Sequence, residues 1–159
     1  LIPPGVETIN IQVAANETFW RDARKSDNLV AMGFAAAPEP AYPMTVTLTE
    51  QIKNEVVRRT PLRHVREEDA QSSLKATITD VRLNVLDRDA ADNVVSARVE
   101  VVVDFVWTDT RNGRILAREG GISRPTDYHL RQGESFTTAA RREFEFIAER
   151  IVEAMQEDF

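Results

Sequence analysis

The chain has 159 residues, 42% of them hydrophobic, with 26 acidic and 20 basic side chains for a formal net charge of −6. That length reads as one domain, residues 1–159, with enough chain for a buried core. The acidic balance argues against general nucleic-acid binding, and the absence of cysteine excludes disulfides, a thiolate nucleophile and a Cys-based metal site within the chain.

After Pro3-Pro4-Gly5, Ile9, Ile11 and Val13 alternate, which predicts a first strand. Periodicity then stops over a long loop at about 15–43, which carries Phe19, Trp20, Phe34 and three prolines. Its simplest reading is a surface loop tacked down by aromatics; a partner-binding loop is the sharper one. A first helix follows. Thr47 and Glu50 have capping-box spacing, Leu48, Ile52 and Val56 share a face with Val57 beside them, and Pro61 ends the helix near Arg59-Thr60. Leu62 to Val65 reads as a short strand.

Leu74, Ala76 and Ile78 share one parity, whereas Val81, Leu83 and Val85 share the other. One strand cannot present both sets to a single core unless an extra residue intervenes, so a β-bulge is expected near Thr79-Asp80. Asp87 to Asn93 is a polar connection. Val95 to Trp107 then alternates strictly, with Ser96, Arg98, Glu100, Asp104 and Thr108 assigned to solvent. Asn112-Gly113 supplies a tight turn into a return strand, Arg114 to about Ile122, in which Gly120-Gly121 weaken pairing or permit a bend. Arg124 to Glu134 reads as a loop. Ser135 opens a last helix to about Glu157 with Phe136, Ala140, Phe144, Ile147, Ile151 and Met155 on its apolar face.

The order β-α-β-β-β-β-α predicts an α+β fold, a two-layer sandwich of a mainly antiparallel sheet with two helices packed on one face. Val102 and Val106 fall on the opposite face, which reads as ordinary exposed surface or as a site covered by the long loop or another protein.

Catalytic chemistry is sparse. His64 and His129 have no metal-binding companions, and Asp87, Asp89 and Asp92 lack the glycine and terminal Glu of a calcium loop. No metal site, cofactor or enzyme activity is expected. Two basic clusters remain: Arg58 and Arg59 with Arg63, His64 and Arg66, and Arg111 and Arg114 with Arg118 and Arg124. The guanidinium fork pairs well with phosphate, so an anionic glycolipid is a chemically sensible ligand; solvation of helix ends and surface is the plainer alternative.

In sequence, IPPGVETINIQVAANET, LTEQIKNEVVRRTPLRHV, EDAQSSLKATITDVRL, VEVVVDFVWTDTRNGRIL and AARREFEFIAERIVEAM resemble successive segments of the LPS-assembly lipoprotein family, the LptE type. The chain departs from that pattern at Ala76, which stands where a glycine is usual, and in the length of the Phe19–Pro43 segment. The resemblance implies a non-enzymatic outer-membrane lipoprotein on the periplasmic face, held by an N-terminal lipid anchor on a cysteine upstream of Leu1. Such a protein plugs an LptD-type β-barrel and assists lipopolysaccharide transport to the cell surface, binding lipopolysaccharide itself. An auxiliary periplasmic lipoprotein of an ABC-type lipid transporter is the alternative. Arg111, Arg114, Arg118, Arg58 and Arg59 are the residues expected to contact lipopolysaccharide or partner, on charge chemistry alone.

Overall fold

The structure, a computed structural model, describes residues 2–15 and 44–157. In chain order it comprises β1 (Thr8–Ala15), α1 (Met44–Arg59), β2 (Arg63–His64), β3 (Ser72–Arg88), β4 (Val94–Asp109), β5 (Ile115–Ile122), β6 (Thr126–His129) and α2 (Phe136–Gln156). The expected 15–43 loop, apart from Ala15 at the end of β1, lies outside the described residues.

The sheet runs β2-β1-β3-β4-β5, with β6 also paired to β4. β1 is parallel to both β2 and β3, and β4 is antiparallel to β3, β5 and β6. A mainly antiparallel α+β sheet with two helices is therefore present. It has one strand more than the expected order, because β6 lies inside the stretch read as a loop.

Alternation builds one core face. Leu74, Ala76 and Ile78 of β3 stand opposite Trp107, Phe105 and Val103 of β4, all buried. The register slips between Ile78 and Asp80, leaving Thr79 as the extra residue, and Val81, Leu83 and Val85 then stand opposite Val101, Val99 and Ala97. The predicted bulge is where the parity change required it.

Against this face, α1 packs on β1 and α2 packs on β4, β5 and β6, with the helices also touching each other. Met44, Leu48, Ile52 and Val56 of α1 and Phe136, Ala140, Phe144, Ile147, Ile151 and Met155 of α2 are buried. The Ser135 hydroxyl accepts the Thr138 amide N–H, and the Thr138 hydroxyl accepts the Ser135 amide N–H, a reciprocal cap that starts α2 where the sequence placed it.

Three local expectations are corrected. Thr47 does not cap α1: the helix already runs from Met44, whose burial anchors the preceding turn. Val57 is 65% exposed, because it sits off the stripe set by Leu48, Ile52 and Val56. Ser96 is buried, since it pairs with His129 of the unanticipated β6.

β5 and β6 share one edge of β4 but do not meet. Val103 pairs with Ile122 and Val99 with Thr126, leaving Glu100 to Val102 facing the corner Ser123-Arg124-Pro125. Pro125 has no N–H to offer a ladder. Arg124 leans over the Phe146 ring of α2 at 4.6 Å, which ties the corner to the helix layer.

Candidate functional site

With both helices on the core side, the other sheet face is uncovered by any described element except the segment after β2. That segment crosses the start of β1, where the Asn10 side-chain amide donates to the Val65 carbonyl at 2.9 Å. Beyond it lies a cavity of about 530 Å³ bordered by Lys75, Thr77, Asp104, Val106, Arg118 and Gly120. A second cavity of about 350 Å³, bordered by Asn10, Glu67, Ser73 and Thr108, shares Lys75 and Val106 with the first. Together they form one trough along the open face.

The register explains its lining. Lys75 of β3, Val106 of β4 and Arg118 of β5 stand directly opposite one another in one row across three strands. Thr77 opposite Asp104 forms the next row, and Ser73 opposite Thr108 the previous one. Lys75 and Arg118 are exposed and Val106 is half-buried between them. Among the described residues neither cation makes an ion pair, in contrast to Arg82, which holds Glu100 at 2.7 Å, and Arg98, which holds Asp127 at 2.6 Å.

Asp104 is fixed by the glycine pair. Val103 pairs with Ile122 and Phe105 with Glu119, so Gly120 and Gly121 together oppose Asp104, and the Gly121 N–H donates to its carboxylate at 2.8 Å. Gly121 has φ +69°, a conformation a side chain disfavours. The bend anticipated from Gly120-Gly121 is this bulge.

The arginines singled out in the sequence fall into separate settings. Arg118 lines the trough. Arg114 is exposed in the β4–β5 turn, its backbone N–H donating to the Asn112 side chain at 2.9 Å. Arg111, in the same turn, grips the buried Asp109 carboxylate with Nε at 3.0 Å and Nη2 at 2.8 Å, and donates to the Gly5 carbonyl at 3.2 Å. That fork holds the Asp109 carboxyl below its usual range. Gly5 is required there, because a Cβ would stand 3.0 Å from the Arg111 guanidinium on a backbone of φ +83°.

Arg58 and Arg59 belong to the helix layer. Both pair with Glu55 of α1, and Arg59 also reaches the Glu149 carbonyl of α2 at 3.4 Å. They are thus not on the face that carries Arg118. Sequence reasoning overlooked Lys75, Thr77 and Asp104. A lone lysine in an alternating strand reads as solvent-facing, and only the register sets it beside Val106 and Arg118. Among the described residues no cluster of three or more His, Asp or Glu side chains is arranged to hold a metal ion.

Similar folds occur among solved structures. A minor lipoprotein from Acinetobacter baumannii superposes with TM-score 0.57 at 12% identity, covering 96% of this chain and 92% of that one. A hypothetical protein from Chlamydia trachomatis gives TM-score 0.56 at 11% identity, covering 97% and 100%. The uncharacterized lipoprotein B from Nitrosomonas europaea gives 0.54 at 11%, covering 95% and 81%. At such identities these likenesses concern the fold. No curated protein matches the chain. The family model described as LptE, lipopolysaccharide-assembly, matches residues 30–159. That match takes in every described element from α1 to α2, and the chain belongs to the LptE lipopolysaccharide-assembly family.

Proposed function

We propose that this protein is a non-enzymatic lipoprotein of the outer membrane, acting on its periplasmic face as partner and plug of an LptD-type β-barrel that delivers lipopolysaccharide to the cell surface. The family match over residues 30–159 carries the reading. The open sheet face supports it with a surface suited to binding: a broad trough floored by Val106, edged by Lys75 and Arg118, and reaching Thr110 just after β4. Two of its acids already have partners: Asp104 accepts the Gly121 N–H and Asp127 holds Arg98.

In this role Arg118, which makes no ion pair among the described residues, and the exposed Arg114 offer guanidinium groups to phosphate or to acidic side chains of a barrel wall, whereas Arg111, Arg58 and Arg59 contribute through the positions they already stabilise. Affinity purification of the tagged full-length protein from membranes of its source organism tests the partnership. A β-barrel recovered in near-stoichiometric amount is the expected result. Recovery of an inner-membrane ABC-type lipid transporter in its place would overturn it in favour of the auxiliary-lipoprotein role.

A further inference from the structure

Charge on the open face is distributed in two different ways along the sheet. Beyond the Thr79 bulge its arginines are neutralised by nearby acids: Arg82 by Asp80 of its own strand and Glu100 of β4, and Arg98 by Asp127 of β6. Before the bulge, the Lys75–Val106–Arg118 row holds two cations and no acid. Two exposed cations flanking a valine gain nothing from each other, since like charges repel. Among the described residues no acid pairs with either cation, so the row presents a local positive potential that attracts an anion.

The geometry suits one anion. Strands lie about 4.8 Å apart, so the β3 and β5 backbones at this row are about 10 Å apart, and the long Lys and Arg side chains can both lean over Val106 to a single phosphate. The guanidinium donates two parallel hydrogen bonds and the ammonium adds a point charge. One row further on, the Asp104 carboxylate opposes Thr77. A carboxylate there repels a bare anion but accepts hydrogen bonds from sugar hydroxyls, and the Thr77 hydroxyl adds a donor and an acceptor. The cavity of about 530 Å³ over these rows falls in the usual range for small-molecule sites.

We propose that the Lys75–Val106–Arg118 row, with Asp104 and Thr77 beside it, is the subsite for a phosphorylated sugar in the headgroup of an acylated glycolipid. This rests on the lipopolysaccharide role and assigns it a place in the fold. The phosphate sits between Lys75 and Arg118, the sugar hydroxyls face Asp104, and the half-buried Val106 contacts the apolar edge of the ring.

Equilibrium binding of the full-length protein to lipid A in detergent micelles tests it, using wild type, Lys75→Gln/Arg118→Gln, and the control Lys53→Gln/Arg141→Gln, which removes the same charge from the helix layer. The trough variant is expected to bind roughly tenfold or more weakly, about 1.4 kcal/mol or more, and the control to match wild type. Dephosphorylated lipid A is expected to bind wild type and trough variant equally. Wild-type binding with an unaffected trough variant would overturn the subsite while leaving the lipopolysaccharide role intact. No wild-type binding would overturn the lipid-binding role and the subsite with it. Displacement of lipid A by inorganic phosphate at equal concentration would also overturn the proposal, because the row would then be a simple anion site.

Discussion

One oxygen of the Glu143 carboxyl group of α2 accepts the backbone N–H of Val101 at 3.2 Å, in the gap where β5 has ended and β6 has not begun. A helix side chain thereby takes over the ladder bond that Ser123-Arg124-Pro125 leaves unmade. The cost is a nearly inaccessible acid, 1% exposed, whose second oxygen has no hydrogen-bond partner among the described residues.

Burial pushes the Glu143 carboxyl up to about 8; the neighbouring Glu100 reinforces this, and the Val101 N–H and Arg124 oppose it. The folded state therefore keeps a proton that the unfolded chain releases near the ordinary Glu value, about 4.3. Stability from this group is complete below that value and falls as pH rises towards about 8. Urea midpoints for wild type should decline from pH 5 to pH 8 by the equivalent of a few kcal/mol at most, and Glu143→Gln should flatten that decline. Parallel profiles for the two proteins would exclude Glu143 as the group responsible.

The bulge at Thr79 predicts two opposite deletion phenotypes. Removing Thr79 alone restores regular pairing through Ile78, Asp80 and Val81 against Val103, Val102 and Val101, so the core face survives. Removing Thr79 and Asp80 together turns Val81, Leu83 and Val85 to the open face. Thermal melts should show cooperative unfolding for the first variant and its loss for the second.

How much of this was legible in the sequence depended on range. The bulge could be read because Leu74, Ala76, Ile78 and Val81, Leu83, Val85 lie on one strand and reveal a parity change by themselves. The long apolar stripe and Ser135 cap of α2 are equally local. β6 escaped because Thr126–His129 has a single buried side chain, Tyr128, and sits between Pro125 and Gly133, which read as loop. Its pairing comes from β4, not from its own pattern. The parallel placement of β1 and the Lys75–Val106–Arg118 row are likewise products of register between distant segments, which one sequence does not reveal.

Arg111 is expected to matter through the turn. Replacing it with alanine removes the fork from the buried Asp109 carboxylate and the bond to the Gly5 carbonyl, so the urea midpoint should fall. Arg111→Lys should restore little, because an ammonium cannot span both carboxylate oxygens as the planar fork does. Full stability of Arg111→Ala would show the fork to be dispensable.

Two phenylalanines two residues apart on α2 should separate cleanly. Phe144 is fully buried, and Phe144→Ala should cost roughly 3–5 kcal/mol in chemical denaturation. Phe146 is half-buried under Arg124, and Phe146→Ala should cost only about 1 kcal/mol. Equal losses would mean that the stripe facing the sheet is drawn incorrectly.

The most direct test of the lipopolysaccharide-assembly role is to deplete the protein in its source organism and measure lipopolysaccharide at the cell surface against the amount retained inside. The expected outcome is a fall in surface lipopolysaccharide, with newly made molecules accumulating behind the outer membrane. Unchanged surface lipopolysaccharide after full depletion would contradict the role.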